Sequence, residues 1–441
     1  MKAAYIISLL GICLLVEIRS ASGITQPAKV VLPNGLTVIT SEGNGSGVVA
    51  IQAMVRVSVL DESPQTIGIR NFTHLVMARG STRFTGDQII RAMEAVGGKL
   101  ELTVSADCAE MQATVLCNGF EAALYFVADL LRNSRFDQPA VESVRASVLS
   151  QLKLQGNDRD VAYAAFKRML YGSGLYAWNT MGTEAVMRGL TREQLLEFHS
   201  QFYVPNNTVL VIVGSLSAER VMNAVRQCFG DWEKRTVPER TISPTPELTL
   251  GRVIKMHSQK REGTVVVGFP APAISNDDFS AMSVVNSLLG SGMSSRLFRE
   301  VRERMGLVYQ VTSLYPTVFG PGHIISYATA ETHKMEALQA SLLGEFTRLK
   351  TEPVTDTELE MAKRFLLGNN ARAHSHNQGQ AHYLAWYEAL AAGYTFDTQF
   401  PTSVERVTTQ DILRVANRYF IVPVVIILEP SAKGEQPTAR E

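Results

Sequence analysis

Residues 190–203 read LTREQLLEFHSQFY, and residues 407–420 read VTTQDILRVANRYF. Laid one on the other, Thr191 falls on Thr408, Leu195 on Ile412, Leu196 on Leu413 and Phe202 on Tyr419, all at one offset. Each stretch sets a threonine ahead of a helical spacing of apolar residues, with Glu193 or Gln410 soon after, the pattern of a capped helix start. Each then leads into a β-branched run, TVLVIVG from Thr208 and VVIILEP from Val424. Unbroken apolar runs of that length predict buried strands.

A second pair agrees. FDQPAVESVRASVLSQL begins at Phe136 and VTDTELEMAKRFLLGNN at Val354, so that Asp137 pairs with Thr355 at an offset one position longer. Amphipathic helices resemble one another, but two separate segments at nearly one spacing point to an internal duplication. The stretch TVPERTISPTPEL divides the copies; Pro238, Pro244 and Pro246 disfavour helix there and predict an extended linker. The expected organisation is a leader over 1–23, a first half over 24–235, a linker over 236–247, a second half over 248–430 and a loose polar tail over 431–441.

Within the first half, strand-like runs cover 28–41 and 48–60, and residues 99–117 read as a hairpin turning at Ala106 and Asp107. Helices are predicted over 69–77, 86–96, 121–132, 139–155 and 160–170. Strands and helices cluster rather than alternate strictly. The fold class is therefore α+β, in two duplicated halves, each a largely antiparallel sheet with helices packed on one face.

The chain has 441 residues, 46% hydrophobic and 19% charged, which suits globular domains with sizeable cores. Lysine plus arginine and aspartate plus glutamate number 42 each, a balance that gives no support to nucleic-acid binding. Lys2 precedes an apolar run over 3–16, ended by Glu17 and Arg19 and followed by Ser20, Ala21, Ser22 and Gly23. A basic start, short apolar core and small-residue exit read as a secretory signal peptide. The expected location is periplasmic or secreted, with no membrane span after removal of the leader; the alternative is an uncleaved anchor. Past the leader, Cys108, Cys117 and Cys228 show no disulfide spacing, and Cys108 and Cys117 read as buried hydrophobes.

GIRNFTHLVMARGS, residues 68–81, resembles the opening of the insulinase/pitrilysin-type metallopeptidases. Active members of that family carry the inverted zinc motif His-x-x-Glu-His on this helix and a third ligand, a glutamate, on a later one. The resemblance sets Gly68, Ile69 and Phe72 on matching residues. It puts Asn71 at the first ligand, His74 at the general base, Leu75 at the second ligand and Gln151 at the third. A leucine has no lone pair to donate, and an amide is a poor zinc ligand beside imidazole or carboxylate. No zinc or other cofactor is expected in this chain. His74 alone is one ligand where a catalytic site needs about three, and a lone histidine on a helix is more often a satisfied packing or surface residue. His374, His376 and His382 follow no zinc spacing and read as polar helix residues. Asn71-Phe72-Thr73 also forms a glycosylation triplet.

LLGSGMSSRLFREVRERMGLVYQV, residues 288–311, resembles the second-half signature of the same family at Ser295, Arg296, Leu297, Phe298, Arg302, Gly306, Leu307 and Tyr309. In the family, the arginine and tyrosine at the positions of Arg302 and Tyr309 reach toward the active centre. They serve there as a pair that stabilises an oxyanion or holds a substrate carbonyl. Gly306 would end the helix and turn the chain into a strand carrying Tyr309. A charged amphipathic helix with solvated arginines and a strand tyrosine is the plain alternative.

In some bacterial members one subunit carries the zinc and a second carries the Arg/Tyr pair; this chain resembles the second kind. It also resembles the non-catalytic core subunits of the respiratory bc1 complex and of mitochondrial processing peptidase, although the long glycine-rich loop of the latter is reduced to GSGMSS over 290–295. The resemblance implies a non-catalytic subunit of a heterodimeric peptidase. Its partner would bear the zinc, and its substrate would be an extended peptide. The alternatives are a structural or peptide-binding protein without a peptidase partner, and an enzyme using unconventional ligands such as His74.

Overall fold

The computed structural model describes residues 26–43, 45–153, 157–240, 250–258 and 260–431. The expected leader, most of the linker (241–247) and residues 432–441 of the tail lie outside the described residues. The first half runs β1 (Ala28–Val31), β2 (Thr37–Ser41), β3 (Val48–Arg56), α1 (Ile69–Met77), α2 (Gly86–Ala95), β4 (Lys99–Val104), β5 (Cys108–Leu116), α3 (Phe120–Asn133), α4 (Gln138–Lys153), α5 (Asp158–Tyr171), α6 (Glu184–Gly189), α7 (Arg192–Phe202), β6 (Thr208–Val213) and α8 (Ala218–Phe229). The second runs β7 (Arg252–Ser258), β8 (Glu262–Ala271), α9 (Phe279–Gly290), a π-helix (Phe298–Arg304), β9 (Val311–Leu314), β10 (Gly322–Glu331), α10 (Met335–Thr351), α11 (Asp356–Ala373), α12 (Asn377–Ala389), α13 (Phe396–Arg406), α14 (Thr409–Tyr419) and β11 (Val424–Pro430).

Two sheets result, in the orders β1-β2-β6-β3-β5-β4 and β7-β11-β8-β10-β9. Apart from β1, they are the same sheet twice. β6 and β11, the last strands of their copies, insert parallel to β2 and β7 and antiparallel to β3 and β8. All other pairings are antiparallel. The helices correspond in the same order: α1 with α9, α3 with α10, α4 with α11, α5 with α12, α6 with α13 and α7 with α14. The duplicated helix starts are built alike. Thr191 and Thr408 each cap their helix and receive a return bond at the backbone N–H, from Gln194 and Asp411. The reciprocal partner is thus the third helical residue, one past the Glu193 and Gln410 read from the sequence, because only that residue reaches back to the cap.

Three local expectations are corrected. The run 28–41 is two strands, reversed where Gly35 N–H bonds Leu32 O at 2.8 Å. The run 48–60 leaves the sheet after Arg56, because Ser58 and Asp61 form a capping box around a short 3-10 turn. Cys108 is buried, but Cys117 and Cys228 are half-buried, and all three are free thiols.

The expectation of helices on one face of each sheet holds for each half's own helices and is incomplete for the other face. Central strands β3, β6 and β8 are buried along nearly their whole length, so both of their faces are apolar and both need cover. The second cover comes from the opposite half. Helix α5 of the first half lies on β8 and β11, and α12 of the second lies on β3 and β6. Ala162, Phe166 and Leu170 of α5 share one buried cluster with Val266, Ile325, Val424 and Ile426. Ala381, Leu384 and Ala385 of α12 share another with Ala50, Met54, Val209 and Val211. A side chain at Gly268 of β8 would stand 2.6 Å from the Phe166 ring, so α5 settles onto the sheet only over a glycine.

Polar groups fasten the exchange. Tyr171 donates its hydroxyl to Pro321 O (2.9 Å), so His323 Nδ1–H must donate to Tyr171 (2.6 Å), leaving Nε2 to accept from Tyr163 (2.7 Å). From the other direction, Asn377 of α12 donates to Val48 O at 2.8 Å. Gln378 donates to Gln112 at 2.7 Å. Asp107 accepts from Tyr176 (2.6 Å) and from the Phe319 N–H (2.9 Å), joining the first-half hairpin to a second-half loop.

Because the halves share their cores, they should unfold together. Far-UV circular dichroism and tryptophan fluorescence are expected to trace one coincident urea transition. Phe166→Ala should move that single transition down by about 3–5 kcal/mol, the usual cost of emptying a buried aromatic site. Two separated transitions would contradict the shared core.

Candidate functional site

The metal-site positions of the family lie on α1 and α4, which pack against each other. Helix α1 buries Ile69, Phe72, Val76 and Met77 in the first-half core. Its Arg70, fully buried, pairs with Glu62 (3.3 Å) and donates to Val57 O (3.1 Å) and Ser105 O (2.7 Å). Burial pushes the Glu62 carboxyl above its usual range, and the Arg70 charge works against that shift. Arg70 thus clamps α1 to the end of β3 and to the β4–β5 hairpin.

His74 is 2% exposed. Its Nε2 lies 2.8 Å from Glu110 O, an atom that can only accept, so Nε2 carries the proton. The Nδ1 lone pair then accepts from the Tyr203 hydroxyl at 3.1 Å. Both ring nitrogens are engaged, and desolvation lowers the pKa to about 4. This is a neutral core histidine with no electron pair free for a metal. Asn71 and Leu75 are half-buried beside it, Leu75 packing on the core, and Gln151 is exposed on α4. One imidazole already committed, one amide on each helix and an alkyl chain do not fit zinc. Among the described residues no three histidines, cysteines or carboxylates converge on a metal-sized site. Thr73 of the glycosylation triplet is fully buried, which places that triplet in the helix's core-facing stretch.

Two of the other histidines read from the sequence, His374 and His382, acquire carboxylate partners distant in sequence. His374, at the end of α11, meets Asn370 O and Asp397 Oδ1, both at 2.7 Å and both acceptors. Burial opposes its charge, but the Asp397 carboxylate and the Asn370 carbonyl together outweigh burial and raise its pKa. His382 of α12 stands 3.1 Å from Glu110, to which Gln52 also donates at 3.3 Å. His376 sits at the start of α12. These carboxylates were not legible from spacing along the chain, because Glu110 reaches His382 only through the exchange of α12.

The second-half positions are open. The expected amphipathic helix is a π-helix over Phe298–Arg304, closed by Met305 N–H to Glu300 O (3.0 Å), and Gly306 follows at φ +59°, a left-handed turn suited to glycine. Tyr309 is not on a strand as expected. The chain stays off the sheet through residue 310, and β9 begins at Val311. Tyr309 is 81% exposed. The Arg302 guanidinium lies 4.6 Å from the Phe298 ring centre and 4.7 Å from that of Tyr309. Two rings hold its faces, and among the described residues it has no ion pair and no hydrogen bond, so its N–H edge is free to donate. Arg302 and Tyr309 line a cleft of about 980 Å³ with Phe298, Leu307, Met293 and Arg159. None of Asn71, His74, Leu75 or Gln151 lines it. The structure therefore brings Arg302 and Tyr309 together and leaves the four metal-site positions in another part of the molecule.

Two packed copies of this sheet-and-helix unit, with a degenerate inverted zinc helix in one and an Arg/Tyr cleft in the other, define an insulinase-type architecture. The family model for insulinase, peptidase family M16, matches residues 37–172, and that for the peptidase M16 inactive domain matches residues 189–366. The chain belongs to the insulinase family of peptidases. An uncharacterized zinc protease of Mycobacterium leprae is 29% identical over 349 residues, 77% of this chain and 77% of that one. Another, of Rickettsia bellii, is 25% identical over 391 residues, 88% of this chain and 94% of that one. In fold, a protease from Helicobacter pylori superposes with a TM-score of 0.87 at 20% identity, over 92% of this chain and 100% of that one. The peptidase M16 inactive domain from Pseudomonas fluorescens gives 0.86 at 19%, over 94% and 100%.

Two outcomes follow from this geometry. Metal analysis of the purified chain after dialysis against zinc should find less than about a tenth of an equivalent, since zinc binding needs a set of deprotonated ligands. Stoichiometric zinc would overturn the assignment of His74. Second, His74, His199 and His323 are buried neutral, their pKa values pressed down by desolvation to about 4, about 4 and about 3. Because the unfolded chain protonates its histidines near 6.5, their stabilising contribution is complete above that pH. It is lost as pH falls from there toward 4, at about 1.4 kcal/mol per pH unit per histidine. The urea midpoint should fall over pH 6.5–5, ahead of the carboxylates; a flat midpoint there would contradict the buried neutral state.

Proposed function

We propose that this chain is the non-catalytic subunit of a heterodimeric zinc metallopeptidase of the insulinase type. It helps bind an extended peptide and stabilises charge as the peptide bond is attacked, with a zinc-bearing chain of the same family as its partner. The observation that carries the reading is the contrast between the two halves. His74 is sealed into the core with both nitrogens used, whereas Arg302 and Tyr309 stand free at the wall of a cleft.

A guanidinium fixed between two rings offers permanently charged donors at little cost in reorganisation, and a phenol adds one more. Donors aimed at a peptide carbonyl gain strength as negative charge develops on its oxygen, so they stabilise the transition state more than the ground state. Such a pair needs the reacting centre to come to it, and the partner chain provides that centre in this reading. The leader-like start of the sequence suits a subunit acting in the periplasm or outside the cell. No helix among the described residues is long and apolar enough to cross a membrane.

The test is a tagged pull-down from native extract followed by peptide turnover. A chain carrying His-x-x-Glu-His should co-purify, and Arg302→Ala should lower kcat of the complex by about 10²–10³-fold, the usual effect of removing one such donor. Circular dichroism should stay unchanged, because the Arg302 side chain stacks only on Phe298 and Tyr309 and has no ion pair or hydrogen bond among the described residues. Normal turnover by the Arg302→Ala complex would remove the proposed role, and the absence of a zinc-bearing partner would favour a peptide-binding protein acting alone.

A further inference from the structure

Helix α12 has two opposed faces. Ala381, Leu384 and Ala385 pack on the first sheet. Tyr383 and Tyr387, one helical turn apart, lie together on the other face, with ring centres 5.8 Å apart. There they wall a cavity of about 210 Å³ with Phe279 of α9, Phe400 of α13 and Tyr315, just past β9. The Phe279 ring centre lies 5.4 Å from that of Tyr315 and 6.0 Å from that of Phe400. Five rings thus border one space. None of the residues lining it carries a charge, and none of them also lines the cleft of Arg302 and Tyr309.

The polar groups in this wall are uncommitted. Asn286 lies within α9, a helix whose other residues are all buried. Its side-chain Oδ1 is buried and accepts no hydrogen bond among the described residues. An asparagine inside a helix lowers helix propensity, and a buried amide oxygen without a donor loses its hydration as well. The fold itself gives neither loss a return. A half-turn about χ2 exchanges Oδ1 with Nδ2, so the amide can offer an acceptor or a donor to the cavity it lines. Tyr387 is 6% exposed, and neither its hydroxyl nor that of Tyr383 has a hydrogen-bond partner among the described residues. Burial, then the Asp397 charge, push both phenols up, so both stay protonated donors. Tyr315 is different, because its hydroxyl already donates to Pro272 O at 2.6 Å.

An apolar cavity of about 150 Å³ takes up benzene. This one is larger and sets hydrogen-bonding groups into an aromatic wall, so a ring with a polar substituent suits it. Rings recognise a further ring through offset and edge-to-face contacts. A charged ligand would be desolvated with no counter-charge in the lining. We infer that this cavity binds a small uncharged aromatic molecule of the phenol or indole class, with its ring among Phe279, Tyr383, Tyr387 and Phe400 and its hydroxyl or N–H on the Asn286 amide. Phe279, Tyr387 and Phe400 are each only 5–7% exposed. Walls that deep favour a free molecule over a side chain still attached to a polypeptide. The inference concerns this chain alone and does not rest on the peptidase reading.

The probes are para-fluorophenol, fluorobenzene and para-fluorobenzoate, titrated into the purified chain and followed by fluorine NMR. Para-fluorophenol should bind saturably. Fluorobenzene, which has no hydrogen-bonding group, should bind about tenfold more weakly, and the charged para-fluorobenzoate should not bind. Cyclohexanol, a hydroxyl without the aromatic ring, should not displace para-fluorophenol. Asn286→Leu should bring para-fluorophenol and fluorobenzene to equal affinity. Leu366→Trp, which fills the cavity from α11, should abolish binding of both, with circular dichroism confirming that each variant is folded. On the unaltered chain, amide exchange should slow in α9 and α12 when para-fluorophenol is added and stay unchanged around Arg302 and Tyr309. No saturable binding of para-fluorophenol, equal affinity of the unaltered chain for fluorobenzene, or full binding by folded Leu366→Trp would each overturn the inference. Tighter binding of N-acetyltyrosinamide than of para-fluorophenol would also overturn it, in favour of docking a polypeptide side chain.

Discussion

Each sheet of this molecule is apolar on both faces, and each half has helices for only one of them. That deficit is the constraint on which the architecture depends. It is met by exchange: α5 closes the second sheet and α12 closes the first, so neither half has a finished core alone. The polar contacts at the exchange are consequences of the same burial. His323 between Tyr163 and Tyr171, and Asp107 between Tyr176 and the Phe319 N–H, lie where water is excluded, so each must find its partner within the protein.

The duplication also makes the two halves informative about each other. In the first, α1 is tied down by the Arg70–Glu62 pair and by both nitrogens of His74, and the helix that family members use for metal has become ordinary core. In the second, the segment leading into β9 is longer, coiled as a π-helix and displayed at a cleft. A π-helical turn is an uncommon form, found frequently at functional sites. Here it sets Phe298 beneath Arg302. The buried histidine and the open cleft thus lie on different elements of the repeated unit, since the counterpart of α1 in the second half is α9.

Much of the fold was legible in the residues. Helix α1 spans the predicted 69–77, the hairpin turns at Ala106 and Asp107, and the paired helices α7 and α14 carry the expected threonine caps. These are local features, set by periodicity, caps and turn residues a few positions apart. The apolar runs of β6 and β11 read as buried strands, but nothing in them said that both faces of their sheets would need cover or which helix would supply it. Tyr309 was misplaced for a similar reason. Whether a residue next to a strand joins it depends on the path of the preceding chain, and six residues of slack are not visible as a pattern.

The sequence by itself determined the duplicated α+β plan and which residues stand where the family resemblance puts metal ligands. Both follow from the identity of single residues, and no arrangement of the chain can give Leu75 a lone pair. The tertiary structure alone decided that His74 is fully engaged and that Arg302 is not. It also decided that Glu110 meets His382. Those outcomes depend on which side chains the exchange of helices brings within about 3 Å, the range where hydrogen bonds form or fail.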